Sequence, residues 1–248
     1  MAKDNTYKKE NAFLVLAKRM SRNKNAMFGL TLFVILVLAI IIVPIVSPYQ
    51  YDKMDVMAIK QGPSSAHLFG TDDLGRDIFT RVFYGGRYSL SISIAAVLFS
   101  TAIGTVVGAI AGYFGGVVDA VIMRIADMMI SFPGLVLAIA IAGMLGPNLV
   151  NAVISIAAVS WTKYARLARS MVLKVKKSLY IEAAVVNGTK TWKILLVHVL
   201  PNMVTQMVVT AAADIGTMML ELASLSFLGF GATAPTPEWG LMLNEGTT

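Results

Sequence analysis

The chain has 248 residues, of which 56% are hydrophobic and only 14% are charged, and its mean hydropathy is +0.70. A soluble domain of this length needs a largely polar surface, and so few charged residues cannot supply one. The composition therefore excludes an ordinary soluble protein and indicates an integral membrane protein. The net charge of +7 does not indicate nucleic-acid binding, because the basic residues flank apolar segments as the positive-inside rule expects.

The first apolar run, Ala26 to Val46, carries no charge and is long enough to cross ~30 Å of hydrocarbon. The runs in this chain are long and lack the alternation of a membrane β-barrel strand, so helices are predicted. We interpret Ala26 to Val46 as an uncleaved first span that starts inside, after a cytoplasmic N-terminal segment formed by residues 1–25. The absence of cysteine leaves no disulfide or thiolate metal site to predict.

Residues 47–88 contain five acidic and five basic residues, so they carry no net positive charge and are predicted to form an outer loop. The second span is predicted at about Leu90 to Tyr113. Gly104, Gly108 and Gly112 recur at four-residue intervals and share one face of that helix. Small residues on one face predict close packing against another helix, with a role in a gate as the alternative.

The next two spans are separated by turn residues. Gly115-Gly116 predicts a short turn inside, and a third span follows from about Ala120 to Leu145 with a kink at Pro133-Gly134. Gly146-Pro147-Asn148 ends that span, and a fourth runs from about Leu149 to Arg166, back to the inside.

Charged residues within the spans need partners or water. Arg124 and Asp127 lie three apart and are predicted to pair on their helix. The fifth span, from about Pro201 to Leu228, carries Asp214 and Glu221 on roughly one face. A carboxyl at mid-membrane depth costs ~2.5–3.5 kcal/mol, so both are expected to face protein or water. Interhelical hydrogen bonding and contact with a transport pathway both remain open for them.

The final stretch, residues 229–248, is rich in Gly and Pro and is predicted at the outer surface, with Trp239 at the headgroup level. Residues 26–248 would then form one transmembrane domain. Five spans place the two termini on opposite sides of the membrane.

A segment between the fourth and fifth spans resembles a known family. Glu182-Ala183-Ala184-Val185-Val186-Asn187-Gly188, followed by Leu200-Pro201, is similar to the EAA loop of permease subunits of ABC importers. His198 stands where that pattern has Ile, and this variant resembles the branch that imports peptides and nickel. From the seven residues alone, an ordinary amphipathic surface helix is the alternative.

Other segments resemble the same branch and are most similar to the C-type subunit of dipeptide and oligopeptide permeases. They are Phe69 to Asp77 in the outer loop, Met123 to Asp127 with Phe132-Pro133, Leu225 to Gly231, and Pro237 to Gly240. Members of that family end with a sixth span, which is not found here. We expect truncation rather than a departure from the family.

The resemblance implies an all-α, type I ABC-importer permease fold with cytoplasmic coupling helices in a loop at 167–200. It assigns contact with the ATPase to the coupling residues Glu182, Ala183, Ala184, Gly188 and Pro201. It implies docking of a substrate-binding protein on the outer-loop residues Asp72, Asp73, Arg76 and Asp77. A self-paired loop is the alternative for this second set, and packing or metal binding are the alternatives for His198.

The expected function is a permease subunit that forms the pathway for di- and oligopeptides and is not itself an enzyme. The chain lacks a G-x-x-x-x-G-K-[ST] phosphate loop, so ATP and Mg are expected on separate partner subunits, with no cofactor, metal or catalytic site here. The implied partners are a B-type permease subunit, two ATP-binding subunits, an extracytoplasmic binding protein and the lipid bilayer. The alternatives are nickel or metal-chelate import and, from other classes, a membrane-embedded enzyme or a scaffold.

Overall fold

The computed structural model describes residues 20–247, and within that range the chain is helical, with a single β-bridge between Thr71 and Asp77. Most of the predicted segment 1–25 lies outside these residues. Contacts divide the chain into two units, Met1–Pro48 and Tyr49–Thr248. The helices are α1 Lys24–Val46, α2 Ile78–Phe114, α3 Gly116–Ile130, α4 Gly134–Leu145, α5 Leu149–Lys176, α6 Leu179–Val186, α7 Thr191–Phe227 and α8 Trp239–Glu245.

Length and hydropathy qualify α1, α2 and α7 as membrane spans, with mean hydropathies of 3.1, 2.2 and 1.6 over their most apolar stretches. The pair α3 and α4 qualifies only if the two helices count as one broken span, which gives up to four spans in the described residues. The predicted five spans are therefore not confirmed. Helix α5 does not qualify, because Lys163, Arg166 and Arg169 lower the hydropathy of its second half.

The break between α3 and α4 is sharper than the predicted kink, since the two helix axes diverge by 92°. Pro133 has no backbone N–H and disfavours a helical conformation for Phe132, so α3 ends at Ile130 and a new helix starts at Gly134. The turn at Gly115-Gly116 is as predicted, with both residues at positive φ, +67° and +53°.

The core of the larger unit is built on the packing of α2 against α5. A Cβ added at Gly104 would lie 2.4 Å from Tyr164 Cβ, and one added at Gly108 would lie 2.2 Å from the Ala165 carbonyl oxygen. Gly112 meets Val172 in the same way at 2.9 Å. The predicted close approach on the glycine face is confirmed, because no side chain fits between the two helices.

Ion pairs connect α5 to α3, and one of them corrects a sequence prediction. Asp127 accepts a hydrogen bond from Arg166 of α5, not from Arg124 three residues away on its own helix. Arg169 Nη2 donates to Asp119 Oδ2 at 2.6 Å and adds a second link between the same two helices. The partners of these carboxylates come from packing, which residue spacing along one helix does not reveal.

Helix α7 begins earlier than the predicted fifth span. It starts at Thr191, and Pro201 lies inside a continuous helix instead of at the start of a separate one. The turn before it, Ile194–Val199, is a π-helix. A proline removes one helical hydrogen bond and its ring crowds the carbonyl four residues earlier. The wider π turn accommodates that loss without breaking the helix.

Candidate functional site

The two regions singled out by the sequence lie at opposite ends of α2. The outer loop leads directly into Ile78, the first residue of α2. The last turn of α2 lies beside the loop at 167–200, which we call the coupling segment. There, Lys176 Nζ donates to the Tyr113 carbonyl oxygen at 2.7 Å. A helix of 37 residues is about 55 Å long, so the outer loop and the coupling segment are separated by more than the thickness of a bilayer core.

The coupling segment forms the short helix α6, which has defined ends. Ser178 precedes it, and the backbone N–H groups of Gly188 and Thr189 donate to the carbonyls of Val185 and Ala184 at 2.9 and 3.0 Å. This pair of bonds is a Schellman motif, which requires a residue in the left-handed conformation. Gly188 supplies it with φ +71°, a conformation that glycine adopts without a Cβ clash.

One face of α6 packs against the hydrophobic core, and the other face is exposed. Ile181 is only 1% exposed and joins the hydrophobic core, and Ala184 packs partly against that core. Glu182 and Ala183 are exposed, so the two alanines point to different sides of the helix. Leu179 and Val186 are 83% and 86% exposed, which is unusual for apolar side chains outside a lipid-facing span.

A groove of about 380 Å³ runs beside this face, and its lining links the coupling helix to the end of α2. Glu182, Val185 and Val186 form one side, and Tyr113 and Lys176 form the other. The anchored helix therefore presents a carboxylate, exposed methyl groups and an adjoining groove in one place. This arrangement suits insertion into a complementary surface of another protein.

Helix α6 also contacts the start of α7. Asn202 Nδ2 donates to the Tyr180 hydroxyl at 3.2 Å and to the His198 carbonyl oxygen at 2.6 Å. The rings of Tyr180 and His198 meet edge to face, with their centroids 6.4 Å apart. His198, in the π turn of α7, thus packs against Tyr180 of α6, in keeping with the packing interpretation of this residue. Displacement of α6 would be transmitted to both of its neighbours, α5 and α7.

The outer loop contains a buried group of charges, which we call the outer cluster: Asp72, Arg76, Arg81 and Glu245. Both arginine side chains are 1% exposed. Arg76 Nε donates to Asp72 Oδ2 at 2.7 Å and its Nη2 donates to Glu245 Oε2 at 3.1 Å. Arg81 donates to the same two carboxylates, reaching Glu245 Oε2 at 2.8 Å. The cluster ties the loop and the start of α2 to α8.

Asp77 has a separate structural role. Its Oδ2 accepts hydrogen bonds from the Thr80 backbone N–H and hydroxyl at 2.8 and 2.7 Å, which caps α2. Its Oδ1 lies 3.0 Å from His67 Nδ1. Of the four residues predicted to dock a binding protein, Asp72, Arg76 and Asp77 are therefore bonded within the loop. Asp73, whose side chain is 42% exposed, is the most exposed of the four.

The environment of Asp72 fixes its charge state. Burial favours the neutral carboxyl, but hydrogen bonds from Arg76, from the Leu74 backbone N–H and from Arg81 favour the carboxylate and prevail. The pKa of Asp72 is consequently below its usual value. The negative charge between the two arginines is retained at any pH near neutrality.

Sequence reasoning missed Arg81 and Glu245 as members of this cluster. Glu245 is 164 residues from Arg81, and neither residue belongs to a local charge pattern that links them. The one available signal was the unusual content of acidic and basic residues in an outer loop of an apolar protein.

The two predicted mid-membrane carboxylates of α7 differ from each other. Asp214 Oδ2 accepts a hydrogen bond from the Tyr164 hydroxyl at 2.6 Å and lies 2.9 Å from Lys163 Nζ. Both partners belong to α5, so Asp214 forms the interhelical hydrogen bond that was one of its two predicted roles. Glu221 is half-buried, and its side-chain carboxyl forms no hydrogen bond with any residue in 20–247.

Comparison with known proteins agrees with this organisation. Residues 104–248 match the family described as "Binding-protein-dependent transport system inner membrane component". Residues 13–63 match the family described as "N-terminal TM domain of oligopeptide transport permease C".

Individual relatives are similar over most of the chain. A dipeptide transport system permease protein of Alkalihalophilus pseudofirmus is 44% identical, over 92% of this chain and 75% of the relative. Glutathione transport system permease proteins of Escherichia coli O157:H7 and Pectobacterium atrosepticum are 44% and 45% identical. They cover 92% and 86% of this chain and 76% and 72% of the relatives.

These matches confirm the resemblance to peptide-type ABC permeases drawn from the sequence. Residues 20–247 form helices with three or four candidate spans among them, which fits the type I permease fold, and the protein is a multi-pass protein of the bacterial inner membrane. The chain belongs to the family of inner membrane components of binding-protein-dependent transport systems.

Proposed function

We propose that this chain is the C-type permease subunit of an ATP-driven importer of di- and oligopeptides. The named relatives, which are dipeptide and glutathione transport permeases, support a peptide substrate over the nickel or metal-chelate alternative. The bound peptide would be delivered on the outer side by a binding protein and released inside. A B-type permease subunit would supply the other half of the pathway.

The observation that carries this proposal is the geometry of α6. Its buried Ile181 fixes the helix to the core, while Glu182, Ala183 and Val186 are exposed beside a groove. We propose that this face docks on one of two ATP-binding subunits, which hold ATP and Mg. The basic residues around α6 support a cytoplasmic position for it, and the Lys and Arg residues before α1 support the same for that segment.

The coupling mechanism follows from what α6 touches. Binding of ATP would close the two ATP-binding subunits and displace the docked helix. Since α6 is continuous with α5 through Lys177-Ser178 and bonded to α7 through Tyr180 and Asn202, both helices would tilt with it. Tilting in one direction would open the pathway to the outside, and the reverse movement would open it to the inside. Pro201 and the π turn before it give α7 a site at which it can bend.

The outer end would receive the binding protein. Because Asp72, Arg76 and Asp77 are bonded internally, we propose that they keep the loop in a fixed shape and that Asp73 contributes direct contacts. The cluster fastens this loop to α8, so docking would act on a rigid surface.

The test is a charge reversal at the coupling face. Glu182→Lys is expected to abolish co-purification with the ATP-binding subunits and dipeptide uptake by the reconstituted importer. The matched control is Asp52→Lys, a reversal at an exposed residue of the outer loop, which should leave the co-purification unchanged. Normal association and uptake with Glu182→Lys would overturn the assignment of α6 to the ATPase.

A further inference from the structure

Helix α7 carries a line of polar residues from Asn202 to Ser224, which we call the polar stripe. Its members are Asn202, Gln206, Thr210, Asp214, Thr217, Glu221 and Ser224. Successive members are separated by three or four positions, so they occupy one face of the helix. Asn202, Gln206 and Thr217 are exposed, and the others are partly buried.

The other faces of α7 are apolar. Met203, Met207, Met218, Leu222 and Leu225 are buried in the core of the unit. Val204, Val208 and Val209 are more than half exposed and form a third face that suits lipid or an apolar neighbour. The polar stripe lies between these two faces and belongs to neither.

Several stripe residues have no partner in the part of the chain that the structure describes. Ser224 bonds to its own helix at the Leu220 carbonyl oxygen, 2.7 Å away, and Asn202 bonds near the coupling helix. The side chains of Gln206, Thr217 and Glu221 form no hydrogen bond within residues 20–247. Lipid would leave an amide and a carboxylate unsatisfied at a cost of several kcal/mol. Water satisfies them without that cost.

We propose that the polar stripe lines the aqueous translocation pathway and that Glu221 gives this surface a preference for the ammonium end of a passing peptide. The charged side chains near Glu221 support the second part of this proposal. Lys163 lies 2.9 Å from Asp214 and also acts electrostatically on Glu221, so one cation faces two carboxyl groups and the group has an excess of acidic side chains. A peptide with a free N-terminus supplies the complementary cation. This inference rests on the proposed import of peptides.

The absence of cysteine in this chain makes the proposal directly testable. Single cysteines would be placed at Gln206, Thr210 and Thr217 in the stripe and, as controls on other faces of the same helix, at Val204, Val208 and Ala212. Each variant is assembled with its partner subunits in proteoliposomes and treated with charged methanethiosulfonate reagents. These react with the thiolate, which forms readily only where water reaches the thiol.

Stripe cysteines are expected to react about tenfold faster than the control cysteines, after subtraction of the background given by the unsubstituted chain. Equal or slower reaction at the stripe would overturn the pathway assignment and indicate that another helix covers it. Dipeptide uptake is measured in the same vesicles. Unreactive stripe cysteines with normal uptake refute this inference alone, whereas reactive cysteines without dipeptide uptake refute the proposed substrate instead.

The charge preference is tested by the ratio of rates for the cationic trimethylammonium reagent and the anionic sulfonate reagent. Thr217 is four positions from Glu221, so its cysteine samples the field of that carboxylate. Glu221→Gln is expected to lower the cation-to-anion ratio at Thr217→Cys by about threefold or more. The same change should leave the ratio at Asn202→Cys unaltered, because that site is about 28 Å away along the helix. An unchanged ratio at Thr217→Cys would overturn the role of Glu221.

Discussion

The guanidinium of Arg81, in the first turn of α2, donates to the carboxylate of Glu245, the last residue of α8, with Nη2 2.8 Å from Oε2. Arg76 reaches the same carboxylate oxygen at 3.1 Å. Ion pairs between residues that are distant in the sequence therefore hold α8 against the outer loop and the start of α2.

Loss of Glu245 should destabilise this end strongly. Glu245→Ala leaves two buried arginines with one shared carboxylate, and breaking a buried pair in this way costs about 3–5 kcal/mol. Asp73→Ala is the matched control, since Asp73 is 42% exposed and lies 3.9 Å from Arg76. Thermal unfolding of the detergent-solubilised protein measures both. A midpoint for Glu245→Ala equal to that of the control would contradict the cluster's structural role.

The outer cluster also predicts a dependence on acid. The pKa of Asp72 is lowered in the folded protein, so its contribution to stability is present above its unfolded pKa of about 3.9 and is lost as the pH falls through the lower folded value. Stability of the wild-type protein should thus decline as the pH drops below about 4, and Asp72→Asn should show a shallower decline. Unfolding midpoints measured between neutral and acidic pH test this, and identical slopes for both proteins would refute it.

The contact between α2 and α5 predicts opposite results for two glycine substitutions. Gly108→Ala places a methyl group 2.2 Å from the Ala165 carbonyl oxygen and should destabilise the protein by about 1–3 kcal/mol. Gly216→Ala, inside α7 with nothing within 4 Å of its added Cβ, should be neutral or stabilising by up to about 1 kcal/mol. Unfolding curves compare the two. Equal effects would show that the helices do not need a glycine at position 108.

The end of the coupling helix predicts a graded series at Gly188. Its φ of +71° suits glycine, is tolerated by asparagine, and strains a β-branched residue. Gly188→Asn should retain most of the association with the ATP-binding subunits, whereas Gly188→Val should weaken it clearly. Co-purification yield is the readout. A Gly188→Val variant that associates normally would mean that the Schellman end of α6 is not needed for docking.

The sequence predicted those features that depend on local pattern or motif. The glycine face of α2 and the turn at Gly115-Gly116 both depend on rules that apply within a few residues. The helix break near Pro133 was located, although its 92° angle was not foreseen. A proline marks where a helix stops, while the packing of the flanking helices sets the new direction.

Features that depend on tertiary contacts were not predictable. The pairing of Asp127 with Arg166, and of Arg81 with Glu245, joins residues on different helices. Pro201 is a helix-start signal in isolation, yet here a π turn carries the helix through it. The polar stripe is readable from the sequence by spacing alone. Its separation from the buried methionine face, however, became clear only from burial in the folded chain.

The central claim is that α6 transmits ATP hydrolysis by partner subunits into peptide import. It is tested most directly by uptake of a labelled dipeptide into proteoliposomes that contain the assembled importer and its binding protein. We predict accumulation that requires ATP with the wild-type chain and is lost with Glu182→Lys, while Asp52→Lys retains it. ATP-dependent accumulation that persists with Glu182→Lys would contradict the claim.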